Sequence, residues 1–317
     1  MCVEMNVQWR LSSRVIGFLM PRASTPRTPS KRVKLELFSV HGHIGDQPVD
    51  YTELCRSLAH LPPDAGTEVI GDRFTRLRIL PEQDGLFPFS GYSGTSDATF
   101  VVLDIQASTE EERGLEHGKV VVRKTLGLLD PSRRECVVQL VHHGVRADQI
   151  ARLIERSARV ADPERYAQLA FELTPIAGTS FLQELDRFDR IQGARMRLAR
   201  PNYDWEEYGA VLEALGQDSN AGNLEVAASA ARASSLNRNA GLIGLLKDLV
   251  SRERSIVKAA SVRGSREGQA GIITLDLNRH IEARTADVPV SATGQPAETT
   301  VREIAREFLQ NRPEPNA

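Results

Sequence analysis

The chain has 317 residues, of which 41% are hydrophobic, and a formal net charge of −2. At about 150 residues per domain this length suggests two domains, each with enough apolar content to bury a core. No window approaches the roughly 18 consecutive apolar residues of a membrane span, and Cys2, Cys55 and Cys136 are odd in number and far apart, which excludes a disulfide framework and a paired-cysteine metal knuckle.

The expectation is therefore a soluble chain in a reducing, cytoplasmic compartment, with no membrane span. Its charge is unevenly placed: residues 1–34 sum to +6 and the remainder to −8. Val7, Leu11, Val15 and Leu19 recur every four residues beside Arg10 and Arg14, an amphipathic pattern seen in surface anchors and transit peptides. The proline-rich stretch from Pro21 to Ser30 has almost nothing to bury, so residues 1–32 read as a disordered basic arm. An acidic body repels the polyanions that such an arm attracts, which argues against indiscriminate coating of nucleic acid.

After the arm, Val33–Val40 alternates apolar and polar residues, the period of a half-buried strand. Asp50 with Glu53 forms a capping-box pattern opening a helix that Pro62-Pro63 ends. Short strands follow near Glu68–Ile70, Phe74–Leu80, Ala98–Ile105, Lys119–Arg123 and Glu135–His142, and Gly91-Tyr-Ser-Gly94 reads as a hairpin connection. From Val145 to Val160 the period becomes helical, predicting one long helix that joins two halves. The second half predicts strand Gln168–Thr174, helix Ser180–Leu185, strand Asp189–Leu198, a capped helix from Asp204 through Leu215, and a strand at Leu224–Ala227. Helix Gly241–Val250, a hairpin of Ser255–Val262 with Gly271–Leu277, and a last helix Glu298–Leu309 complete it. The fold class is α+β: two α/β halves with mostly antiparallel or mixed sheets, divided as 1–32, 33–162, 163–290 and 291–317.

Signatures of catalysis are missing. There is no GxxxxGK[ST], GxGxxG or GxSxG, so neither a phosphate cradle nor a nucleophile elbow is present. His41 and His43 would share a face of a strand, yet only Asp46 stands near to complete a ligand set, and the adjacent His142 and His143 would point to opposite faces. Strand-end histidines bonding backbone carbonyls account for all four. Asp104 ends a Val-Val-Leu strand, but the next strand lacks the Glu-x-Lys that a divalent-ion nuclease needs. No catalytic residue, metal or cofactor is assigned. A metal-dependent nuclease with an unorthodox site at Asp104 or at His41 and His43 stands as an alternative, as does a homo-oligomeric scaffold paired through helix 241–250.

Arginine is where the chain departs from its acidic average. Residues 187–266 hold 13 bases against 9 acids. Arg187, Arg190, Arg195, Arg197 and Arg200 cluster around one strand, and Arg232, Arg238, Arg252, Arg254, Lys258, Arg263 and Arg266 follow. Arg195 and Arg197 share a face. Gathered on one side of a sheet, these side chains would contact phosphates; scattered or paired with acids, they would be ordinary solvated charge. Arg187, Arg190, Arg195, Arg197, Arg200, Arg232, Arg238 and Arg263 are the candidate DNA contacts, with a protein partner or a second copy as the competing occupant.

The run Ile191-Gln-Gly-Ala-Arg-Met-Arg-Leu-Ala-Arg200-Pro201-Asn202-Tyr-Asp204, followed by Asn220-Ala-Gly-Asn, resembles a family of uncharacterised bacterial proteins known only as a domain of unknown function. Tyr51-Thr-Glu-Leu and Gly71-Asp72-Arg73-Phe74 match the outline of its N-terminal half, so the resemblance covers roughly 33–285. In layout the chain also resembles RexA-type phage-exclusion proteins, which implies an intracellular, DNA-associated role in anti-phage defence. The resemblance implies no catalytic residues. On chemistry alone, Pro201 ends ladder bonding and Asn202 favours the turn that follows.

Overall fold

The protein is described by a computed structural model covering residues 29–62, 65–95, 119–201, 212, 223–252, 255–291 and 294–312, together with the backbone of 100–104 and 109–113. The first 28 residues of the basic arm and the helix expected at 204–215 lie outside the described residues, apart from Leu212, which is buried.

The architecture is α+β with antiparallel sheets. Its spine is β1 (Ser30–Ile44), longer at both ends than the strand the alternation predicts. Residues 30–32, expected in the disordered arm, are strand because β15 (Ala283–Pro289), which the sequence reading missed, pairs with Ser30–Glu36. Beyond β15 on the same edge lies β10 (Leu169–Pro175), paired with Phe38–Ile44. The opposite edge takes β9 (Glu135–Gln139) and then the two-residue β2 (Gln47–Pro48). The sheet continues from β9 through β8 (Val121–Asp130), β5 (Phe87–Thr95), β4 (Arg73–Ile79) and β3 (Thr67–Ile70). A separate pair, β6 (Phe100–Asp104) with β7 (Thr109–Arg113), stands apart from it.

Gly91-Tyr-Ser-Gly94 is not a hairpin connection but the interior of β5. Both glycines are there because backbone or packed side chains come close: a Cβ on Gly94 would lie 2.4 Å from the Val121 carbonyl oxygen, and one on Gly91 would lie 3.1 Å from Val145. The pair His142 and His143, expected in a strand, instead forms a turn after β9, with ring centroids 3.8 Å apart and His143 at φ +57°.

Alternation along β1 builds two cores. Phe38 and Val40 face α1 (Tyr51–Ala59) and α2 (Ala147–Ala161), packing with Leu54, Leu58, Ile150, Leu153 and Ile154. Val33, Leu35 and Leu37 face α5 (Glu298–Gln310), packing with Val301, Ala305 and Leu309. Asp50 caps α1 as expected, its carboxylate accepting from the Glu53 amide at 3.0 Å. The long helix α2 does not bridge two halves; it lies on the first sheet, contributing five apolar residues to that core.

The second sheet has the order β12-β11-β13-β14: β12 (Asn223–Ser229), β11 (Arg190–Ala199), β13 (Val257–Ser265) and β14 (Ile273–Asp276). One of its faces is covered by α3 (Thr179–Asp186) and α4 (Gly241–Ser251), burying Phe181, Leu185, Met196, Leu198, Ile243, Leu246 and Leu249. The boundary expected at 162/163 is corrected by its connections. The chain leaves the first sheet after β10 and returns at β15, and the two crossings touch: the Glu282 amide donates to the Ile176 carbonyl at 2.7 Å, and both bond to Leu37. Residues 177–281 are thus inserted between two neighbouring strands on one edge of β1, rather than forming the second of two consecutive halves. No helix among the described residues is long and apolar enough to cross a membrane.

Candidate nucleic-acid interface

In β11 the burial alternates, with Ala194, Met196 and Leu198 turned toward the helices and Arg195 and Arg197 toward solvent. Register then fixes what stands beside them on the open face. Arg195 lies between Ala227 and Ser261, Arg197 between Glu225 and Ala259, and Gly193 between Ser229 and Arg263. Thr274 and Asp276 of β14 complete it, opposite Arg263 and Ser261. Small side chains therefore floor this face and three guanidiniums rise from it. Glu225 is shared between two of them, 3.1 Å from Arg195 and 3.6 Å from Arg197, with Arg195 about two-thirds exposed. Arg263 is exposed and meets no carboxylate among the described residues; Arg232, on the turn following β12, is in the same condition.

The other candidate arginines do not join this face. Arg187 closes the end of α3 on Glu184, and Arg266, stacked 4.7 Å from the Phe188 ring, pairs with the same carboxylate at 2.6 Å. With Arg266 beside it, the Glu184 carboxyl is held below the usual range. Arg190 donates to the Ser234 carbonyl at 2.8 Å, and Arg238 is 3.8 Å from Asp189. Arg252 pairs with Asp248 one helical turn back; Arg254 lies outside the described residues. The expectation of eight arginines on one surface is corrected to a core of three, because a β-bulge between Ile191 and Gly193 shifts the register there and the remaining residues lie on loops and helix ends.

Arg200 and Lys258 have a different task. Arg200 donates to the Gly45 carbonyl at 3.2 Å and to Asp46 at 3.0 Å, and Lys258 bonds Glu172 at 2.6 Å. Both tie the inserted segment to the first sheet. Between those ties lie His41 and His43, on one face of β1 and both buried. His41 Nε2–H donates to the Ser255 carbonyl at 3.1 Å, which also accepts from the Thr174 hydroxyl at 2.8 Å; that network assigns the tautomer. Burial lowers the His41 pKa to about 4, outweighing the bond to Ser255. His43 is lowered by burial and by the Arg200 charge, with the Pro201 carbonyl opposing.

Both histidines lie buried beneath the inserted segment, with His41 Nδ1 and His43 Nε2 enclosed and without a hydrogen-bond partner. Asp104 closes β6, opposite Thr109; its side chain lies outside the described residues. No group of three or more His, Cys, Asp or Glu side chains converges on a metal position among the described residues. The thiols of Cys55 and Cys136 are buried and pushed up, Cys55 to about 12, so neither is a poised nucleophile. Helix α4, which the scaffold alternative would use to pair subunits, packs Ile243, Leu246 and Leu249 on its own sheet.

A scan against protein-family models finds no match to the chain, and no curated protein matches it.

Proposed function

We propose that the protein is a non-enzymatic binder of DNA phosphates, and that the open face of the β12-β11-β13-β14 sheet makes the contact through Arg195, Arg197 and Arg263, with Arg232 at its margin. The observation that carries this reading is the face itself: guanidiniums standing on a floor of Gly193, Ala227, Ser229, Ala259 and Ser261, where a broad backbone can approach. The shared Glu225 is no obstacle, because exposed ion pairs are worth only about 0–1 kcal/mol and a phosphate accepts the same guanidinium donors. Few aromatic side chains accompany these arginines, so the contact reads charge and shape rather than stacked bases.

The test is fluorescence anisotropy on a short labelled duplex, with the full chain and an Arg195→Met/Arg197→Met/Arg263→Met variant. Binding at about 50 mM salt should weaken steeply by about 200 mM, and the variant should lower the slope of log K against log salt by about 3. A variant with an unchanged slope would move any binding to the basic arm and remove this reading. Cytoplasmic anti-phage defence, the setting implied by the layout resemblance, belongs to the same proposal; a deletion strain with unaltered phage plating would count against it.

A further inference from the structure

The face of the first sheet that carries α5 is filled along most of its width. The inserted segment seals it at the His41 end, and α5 covers its middle through Leu126, Leu128 and Val137. At the far end, over β4, β5 and β8, the described residues leave a cavity of about 470 Å³ lined by Phe74, Arg76, Arg78, Tyr92, Val120 and Val122. This volume is within the range of small-molecule sites.

Register explains how the lining comes together. Phe74, Arg76 and Arg78 alternate onto one face of β4, and directly across from them in β5 stand Gly94, Tyr92 and Ser90. Across Tyr92 and Gly94 in β8 stand Lys124 and Val122. Gly94 holds no side chain, and the space beside it is taken by the Val121 carbonyl and by Val120, which brings Val120 into the lining. Lys124 lies over the Tyr92 ring, 5.5 Å from its centroid, and Arg302 of α5 reaches Ser90 at 3.4 Å.

The electrostatics here are lopsided. Lys124 and Arg302 share one carboxylate, Glu298. Arg76 and Arg78 meet none among the described residues, and Arg76 Nε is enclosed without a hydrogen-bond partner. A carboxylate or phosphate entering the cavity would give either guanidinium fork a charge-assisted acceptor. Beside that fork lie two aromatic rings and two valines, a wall suited to a flat apolar body rather than to a free inorganic ion.

We infer that this cavity binds a small amphipathic anion, a phosphate or carboxylate carried on a flat apolar group, with Arg76 and Arg78 taking the anion and Phe74, Tyr92, Val120 and Val122 the body. The site lies on the first sheet, shares no residue with the arginine face of the second, and stands whether or not that face binds DNA.

Isothermal titration of the full chain with 1-naphthyl phosphate tests this, with inorganic phosphate and 1-naphthol as the two halves of the probe. Saturable binding of the ester is expected, with each half at least about tenfold weaker. Arg76→Met and Arg78→Met should each weaken the ester at least about tenfold, and because Arg78 is exposed its variant retains the fold. Three results would each overturn the inference: no saturation by the ester up to about 1 mM, undiminished affinity in both variants, or 1-naphthol binding as tightly as its ester.

Discussion

At His41 a single imidazole reports how the inserted segment is seated. Its neutral form is held between Thr174 and the Ser255 carbonyl, 214 residues away in sequence. Because burial lowers the folded-state pKa from 6.5 to about 4, the unfolded chain binds the proton first as the solution is acidified. The stability carried by the neutral ring is therefore complete above about pH 6.5 and is lost progressively as pH falls toward 4, amounting to about 3 kcal/mol over that interval. Urea unfolding at pH 7 and at about pH 4.5 should show this loss in the natural protein, and His41→Gln should remove most of it. Equal pH dependence in the two proteins would show that the ring is not the titrating group. The shared face of His41 and His43 was legible from their spacing by two. Their enclosure was not, since the group that seals them arrives from a distant part of the chain.

The strands of the first sheet are set as much by absent side chains as by present ones. In β8 a Cβ on Gly127 would lie 2.0 Å from Phe89 Cζ, and Phe89 is fully buried. Gly127→Ala should therefore cost about 2 kcal/mol or more by forcing that ring from its place, measured as a lowered urea midpoint; an unchanged midpoint would mean the core has slack there. The same principle explains which elements the sequence revealed. Helices α1, α2, α4 and α5 carry strong apolar periodicity and emerge nearly in full. β5 hides behind two glycines that read locally as turn residues, and β15 offers no clear apolar alternation because Arg284 holds one of its three covered positions while Ala283 holds an exposed one. Arg195 and Arg197 were correctly paired on one face by their spacing. The cavity over β4, β5 and β8 was invisible, because Arg76, Tyr92 and Lys124 become neighbours only through strand register.

At the scale of the molecule, long-range charge pairs fasten segments rather than form a surface field. Arg312, just past α5, reaches Glu135 of β9 at 3.3 Å and Glu282 beside β15 at 3.0 Å, and both Arg312 and Glu135 are nearly enclosed. Burial pushes the Glu135 carboxyl up more strongly than Arg312 and Arg133 pull it down. Replacing Arg312 by Met would leave that carboxylate short of a counter-charge, so a loss of about 3 kcal/mol is expected in denaturant unfolding at pH 7; a loss below about 1 kcal/mol would reduce the contact to a surface pair. Arg200 and Lys258, read in the sequence with the basic cluster of the second half, have this fastening role on the first sheet.

The placement of β15 also governs the order in which the protein can be made. Residues 30–36 emerge early during translation, yet the strand that hydrogen-bonds them ends at Pro289. At about 5–20 residues per second, the nascent chain waits roughly 10–50 s with that β1 edge bare. A ribosome that stalls before Ala283, or a protease that cuts there, leaves a polypeptide whose first strand still seeks a neighbour. Another stalled copy can supply it, so incomplete chains are the species to watch for aggregation in the cell.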